Sequence, residues 1–276
     1  MALNSIVTNI GAQVALQSLN RTNDALAITS KRISTGLRVA DSRDDGAAFA
    51  VAERVRGEVA ATTSANEQMG AAKGLLDVTR ASLENVSTSL NKLKELTVKL
   101  ADGAITAEQR TQYQTQVKEL SNNIKAFITD ADYNGRNLLD TGGATVKVVT
   151  NSGGDNYAVA AYDAIANIFN SISGANTYTQ GDAAAALTAT GKLGTAITNT
   201  LTTLNSFGSY TNYVDTQVDF NKKKIDALES GMGALVDADL AKESAKLQSL
   251  QIRQQLGTQA LGIANQAPQS LLSLFR

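Results

Sequence analysis

The chain has 276 residues, 25 Lys and Arg against 26 Asp and Glu for a net charge of −1, and neither Cys nor His. That composition removes thiolate and histidine catalysis, zinc sites of the Cys or His type and disulfides, and it leaves no basic footprint for nucleic acid. Hydrophobic content is an ordinary 43%, only 5% of residues are aromatic and the one proline is Pro268, so Ala, Leu, Ile and Val carry the apolar load and long helices are allowed almost throughout.

Residues 1–30 carry two charged side chains, Arg21 and Asp24. Leu3, Val7, Ile10 and Val14 form one apolar stripe, and Ala12, Leu16, Leu19, Leu26 and Ile33 form a second, offset one, which predicts more than one partner surface. Asn4, Asn9, Gln13, Gln17, Asn20 and Asn23 fill positions where a monomeric surface helix would be charged. The N-terminus lacks a basic region followed by an apolar core, and no run approaches eighteen apolar residues; neither a cleaved signal peptide nor a membrane span is expected. Gly36 breaks the first helix, and Ser42 with Asp45 has capping-box spacing for the restart. Arg38, Asp41, Arg43, Asp44 and Asp45 concentrate charge there; their spacing is not a calcium loop and reads as a polar connector with ion pairs.

From Ala48 to Leu100 a heptad seam runs through Ala48, Val51, Val55, Glu58, Thr62, Ala65, Met69, Ala72, Leu76, Thr79, Leu83, Val86, Leu90, Leu93, Thr97 and Leu100. As one helix it would be roughly 80 Å long, against roughly 50 Å across for a compact globule of this chain length, so an elongated molecule is expected. Asp102-Gly103 ends the seam, and Thr106 with Gln109 makes a capping box for a helix stepping through Tyr113, Val117, Leu120, Ile124 and Phe127, an antiparallel neighbour of the first. Asn134-Gly135 marks a turn, and the segments Thr145–Thr150 and Tyr157–Val159 around Asn151–Asp155 read as a hairpin. Residues 160–192, rich in Ala, Thr, Gly and Ser with weak periodicity, read as an exposed insertion with a short helix near Asp163 to Phe169.

The seam resumes at Leu193, Ile197, Thr200, Leu204, Phe207, Thr211, Val214, Val218, Asn221, Ile225, Leu228, Met232 and Leu235. From 247 to 276 only Arg253 and Arg276 are charged, seven residues are Gln, and Leu256, Ala260, Ile263, Ala267, Leu271 and Leu274 keep the three-four spacing. The predicted fold is mainly α: an elongated antiparallel helical bundle or coiled coil with a small β-hairpin region in the middle. The helices at 106–128 and 193–235 are the expected partners of the long seam, and Glu58, Thr62, Thr79 and Thr97 its weak points.

Several long motifs then stand in order: Ser5-Ile-Val-Thr-Asn-Ile10, Ala15-Leu-Gln-Ser-Leu-Asn20, Ser30-Lys-Arg-Ile-Ser-Thr-Gly-Leu-Arg-Val-Ala-Asp-Ser-Arg-Asp-Asp-Gly-Ala-Ala48, Leu90-Asn-Lys-Leu-Lys-Glu-Leu96, Tyr133-Asn-Gly-Arg-Asn-Leu-Leu139 and Gln255-Leu-Gly-Thr-Gln-Ala-Leu-Gly-Ile-Ala-Asn-Gln-Ala-Pro-Gln-Ser-Leu-Leu-Ser-Leu274. Through these the chain resembles bacterial flagellin, the subunit of the flagellar filament. The resemblance implies that residues 1–40 pair with 236–276 as an inner coiled-coil domain lining a channel. It implies an outer rod of 44–235, with a hairpin at about 138–160 and a short exposed insertion at about 160–192. The assembly residues on the terminal helices would be Leu3, Ile6, Ile10, Leu19, Leu26, Ile33, Leu256, Ile263, Leu271 and Leu274. Implied partners are further copies of the chain, the flagellar export machinery, a secretion chaperone, and hook-associated and cap proteins, at an extracellular location. Ser173, Thr177, Thr179, Thr188 and Thr190 are implied sites for O-linked sugar, with polar filler the competing reading.

A fully buried Leu, Ile or Val contributes on the order of 1.5 to 3 kcal/mol, against about 1 to 2 kcal/mol for ordering each residue's backbone. One partner stripe barely balances, so the terminal helices are expected to order on docking. Two other readings stay open: a hook–filament junction protein, which shares the terminal signatures, and a cytoplasmic signalling coiled coil, whose ends would carry more charge. No enzyme and no cofactor is expected, for want of His, Cys and a phosphate-binding Gly loop.

Overall fold

A computed structural model of the chain describes residues 8–272, with side chains described as far as Gln266. In chain order come α1 (Ile10–Thr35), α2 (Gly46–Ala101), α3 (Ala107–Thr129), the short strands β1 (Asp132–Tyr133) and β2 (Arg136–Asn137), then β3 (Val146–Val149) and β4 (Asn156–Val159). A π-helical turn, Ile165–Phe169, runs into α4 (Asn170–Ile172); a 3-10 turn, Ala175–Thr177, precedes α5 (Gln180–Ala186), α6 (Lys192–Val236) and α7 (Leu240–Leu272). The mainly α class with a small hairpin region is the one expected. The chain divides into two compact units, one of Glu58–Asp226 and one of the residues up to Gly57 with those from Ala227 onward.

In the unit Glu58–Asp226 the long seam is the core. Every seam position from Thr62 to Leu100 is buried without a break. It packs with Val117, Ile124 and Ile128 of α3 and Phe207 and Val214 of α6 in one apolar cluster. Ser82 Oγ donates to the Phe127 carbonyl at 2.6 Å, and Arg110 Nη1 to the Leu100 carbonyl at 2.8 Å, so α3 runs antiparallel to α2 and closes its C-terminal end. Asn221 bonds to Asn66, and Asp215 pairs with Lys73, which sets α6 antiparallel to α2 as well. The seam threonines are not left unpaired: Thr62, Thr79 and Thr97 donate to the carbonyls of Glu58, Leu75 and Leu93 at 2.7, 2.8 and 2.7 Å.

Caps and turns follow local chemistry. Thr106 and Gln109 form the expected reciprocal capping box. Asn134 and Gly135, with φ of 54° and 74°, make the tight turn between β1 and β2 that needs two left-handed residues. In the β3–β4 hairpin Val146 faces Val159 and Val148 faces Tyr157, with Val148 and Val159 buried.

Two expectations need correction here. Residues 160–192 are not an exposed insertion: Ala164, Ile168, Ile172, Ala175, Tyr178, Ala183 and Ala186 are buried in the main cluster. Five of the six successive spacings are three or four residues, and the Ala-rich composition lets backbones approach closely. Asn199 Nδ2 donates to the Asn167 carbonyl inside the π-helical turn at 3.0 Å. The seam also steps by one residue toward both outer ends. Ala52 and Val236 are buried beside Val39, while Val51 and Leu235 are 39% and 40% exposed. Both buried residues pack with Val39 in a separate small cluster rather than with the main core, so a different partner sets the buried position there.

Candidate assembly surface

In the other unit α1 lies antiparallel on α7. Asn9 caps α1 by accepting from the Ala12 N–H at 3.0 Å, and Gly36, at φ 72°, ends it with its N–H on the Arg32 carbonyl. Asn9 Nδ2 donates to the Ala264 carbonyl, Gln254 Nε2 to Asn23 Oδ1, and Arg32 pairs with Glu243 at 3.1 Å, so position rises along α1 as it falls along α7.

Both sides of the pair carry large aliphatic residues. The half-buried or buried positions of α1 are Ala12, Ala15, Leu19, Thr22, Ala25, Leu26, Thr29, Lys31, Arg32 and Ile33; those of α7 are Glu243, Leu247, Leu250, Gln254, Gly257, Leu261 and Ala264. A second set of large aliphatics points away from this seam. Val14 is 60% exposed, Leu256 58% and Ile263 70%, with Ile10, Leu16, Ile28, Leu240 and Ile252 also exposed. Such a density of open aliphatic side chains on one helix pair marks an interaction surface.

The expected assembly residues therefore split. Ile10, Leu256 and Ile263 are on the open side; Leu19, Leu26 and Ile33 are half-buried on the inner seam. Leu271 lies in α7 but its side chain is outside the described part, and Leu3, Ile6 and Leu274 are outside the described residues altogether. The inner seam of α7 was missed from sequence because Glu243, Gln254 and Gly257 interrupt its apolar run. A three-four count started at Leu247 rather than Leu256 finds it.

The connector between α1 and α2 is an ion-pair knot. Lys31 Nζ reaches Asp41 Oδ2 at 2.8 Å and Asp44 Oδ2 at 3.2 Å, and Arg43 pairs with Asp41. Hydrogen bonds from Lys31 and then Arg43 hold the Asp41 carboxyl well below the usual carboxylate range. Asp44 is also lowered, first by the Ala40 backbone N–H and then by Lys31. Arg38 donates to the Leu235 carbonyl, and the backbone N–H groups of Arg38 and Val39 donate to Val236. The α2 cap is Asp45 itself, which accepts from the Ala47 and Ala48 N–H groups; Ser42 plays no part, contrary to the expected capping box. Among the described residues no group of His, Cys, Asp or Glu is placed to hold a metal ion, and no helix is long and apolar enough to cross a membrane.

Ser173, Thr177, Thr179, Thr188 and Thr190 are all exposed. Four of these hydroxyls bond locally: Ser173 to the Asn170 carbonyl, Thr177 to Gly174, Thr179 to Asp182 and Thr188 to Ala185.

Comparison with known proteins gives the geometry a context. Residues 6–143 match the family model of the bacterial flagellin N-terminal helical region, and residues 190–275 that of the C-terminal helical region. The chain is 38% identical over 277 residues to flagellin FljK of Caulobacter vibrioides, covering 100% of both chains. It is 36% identical over 281 residues to a flagellin of Brucella melitensis, covering 99% of each. A crystal structure of Bacillus cereus flagellin superposes with a TM-score of 0.50 at 22% identity, over 56% of this chain and 88% of that one, a likeness of fold.

Proposed function

This chain belongs to the bacterial flagellin family and is a structural subunit of the flagellar filament; on that premise we propose that α1 and α7 dock on neighbouring copies through their open aliphatic side, and that this docking completes their folding. The carrying observation is the set of large aliphatic side chains that the pair leaves open. Small and polar residues, Ala, Thr, Gly and Gln, interrupt the Leu and Ile of the inner seam, while Ile10, Val14, Leu16, Ile252, Leu256 and Ile263 stand open outside it. The pair alone buries little apolar surface against the backbone entropy of two long helices. Contacts of this kind must be head-to-tail, since an isologous pairing would close after two copies.

Further partners in this reading are the export machinery, a secretion chaperone, and hook-associated and cap proteins, with the polymer outside the cell. Across their full length the relatives above carry the flagellin name, which favours this reading over a junction protein. For O-linked sugar, Thr190 is the position at which attachment disturbs none of the four local hydrogen bonds; intact mass reads it directly.

Seeded polymerisation of purified chain, followed by sedimentation, tests the docking claim. Leu256→Glu and deletion of residues 266–276 should each abolish polymer while leaving the circular dichroism of the rest intact. Filaments of normal length from either variant overturn it. Hydrogen exchange tests the coupling: α1 should exchange freely in the monomer and be protected in the filament, and strong protection without assembly sinks that part alone.

A further inference from the structure

The inner seam between α1 and α7 repeats its three-four steps with small and aliphatic residues, so a slip of seven residues re-pairs similar side chains. Apolar contact of that kind discriminates weakly between registers. One place on the pair is different in kind. Among the described residues, three buried side-chain polar atoms have no hydrogen-bond partner, Thr29 Oγ1, Arg32 Nε and Glu243 Oε2, and all three lie on this helix pair. Thr29 is fully buried and stands one turn before Arg32 on the same side of α1. Arg32 Nη1 donates to Glu243 Oε1 at 3.1 Å, and Lys246 Nζ is 3.9 Å from Oε2, beyond hydrogen-bond length. The Glu243 side chain is only 12% exposed.

We propose that Thr29, Arg32 and Glu243 set the register of α1 on α7, making them specificity determinants of the docking pair; the proposal rests on the filament reading above. A slip of seven residues one way places Glu243 beside Ala25 and Leu26 and Arg32 beside Leu250, which strips the charged hydrogen bond between the helices and leaves Glu243 only Lys246 of its own helix, 3.9 Å away. The other way carries Glu243 past Gly36, the end of α1. A half-satisfied, largely buried pair is a poor source of stability, but removing its partner across the helices is costly, and that asymmetry is what selects one alignment. The node thus acts as the single buried polar position does in a coiled coil, giving up some stability for a unique register.

The native chain has no cysteine, so engineered thiols report cleanly. Asn23 and Gln254 touch at 2.8 Å in the observed register. The pair N23C/Q254C, bridged by a short bifunctional thiol reagent, reads that register; N23C/L247C and N23C/L261C read slips of seven. Links are scored as intrachain by mass after filaments are dissociated. With the node intact only N23C/Q254C should link. In the R32M/E243L background the slipped links should rise about tenfold. A single native link in both backgrounds overturns the proposal. If R32M/E243L does not assemble, R32E/E243R decides: a restored native link supports the node, and slipped or absent links overturn it. Polymerisation is scored separately: a native chain that fails to polymerise refutes the filament reading and the node's premise with it, whereas a native chain that polymerises with slipped links overturns the node alone.

Discussion

Asn9 Nδ2 donates to the Ala264 carbonyl at 2.7 Å, and Ala264 is the residue whose helical partner four positions on is Pro268, which has no N–H to give. α7 continues through Pro268 to Leu272, so a carbonyl orphaned by proline is satisfied from the partner helix by the residue that also caps α1.

Asn9→Ala should therefore remove two interactions at once, at about 2 kcal/mol from cap and carbonyl together. In a Pro268→Ala background the N–H returns to Ala264, and the penalty should fall to that of the cap alone, about 1 kcal/mol. Thermal dissociation of filaments in the double-mutant cycle measures the difference; equal penalties in both backgrounds refute the link.

Asn221 is 1% exposed and donates through Nδ2 to Asn66 Oδ1 and to the Thr150 carbonyl, both at 2.9 Å. It joins α2, α6 and the start of the β3–β4 turn. Asn221→Leu should destabilise by about 1 to 3 kcal/mol, the range for stripping buried polar partners. Chemical denaturation followed by circular dichroism gives the loss, and faster exchange of the hairpin amides locates it.

Two glycines should respond in opposite directions. A Cβ at Gly191 would lie 2.3 Å from the Ala185 carbonyl oxygen and 2.6 Å from that of Ala186, backbone atoms that do not yield. Gly191→Ala is expected to lose about 3 kcal/mol. Gly208, inside α6, has nothing within 4 Å of the same position, and Gly208→Ala should gain about 0.5 to 1 kcal/mol of helix propensity. Urea midpoints of the two variants moving the same way would falsify this reading.

The connector should loosen at both pH extremes. Asp41 and Asp44 have folded values below their ordinary 3.8, so their contribution is present above that value and lost as pH falls through the folded ones. Lys31 is raised above 10.5, first by Asp41 and then by Asp44, so its contribution is present below 10.5 and lost as pH rises through the folded value. Lys31→Met should move the Asp41 titration, followed by carboxyl NMR, up toward 3.8; an unmoved titration removes Lys31 as the cause.

Much of the larger unit was legible because burial there is periodic. From Thr62 to Leu100 each third or fourth residue is buried, and the capping box at Thr106 and the turn at Asn134-Gly135 are local chemistry that tertiary context does not override. The 160–192 segment was misread for a physical reason. Ala164, Ala175, Ala183 and Ala186 are buried by close backbone approach, and alanine carries too weak a hydrophobic signal to announce it.

By itself the sequence determined the helices, the antiparallel order that short connections impose, and the charge-poor ends that need partners, since these depend on spacing and composition within a few turns. Only the tertiary structure decided which stripe of each terminal helix faces inward. α7 offers two, and the purely aliphatic one, with Leu256 and Ile263, is left open while the one broken by Glu243, Gln254 and Gly257 meets α1. The reason is pairwise: Gly257 admits Leu19, whose Cδ1 would lie 3.2 Å from a Cβ there, Gln254 meets Asn23, and Glu243 meets Arg32. Each match involves residues more than two hundred positions apart, and a one-dimensional periodicity carries no record of which distant side chain completes it.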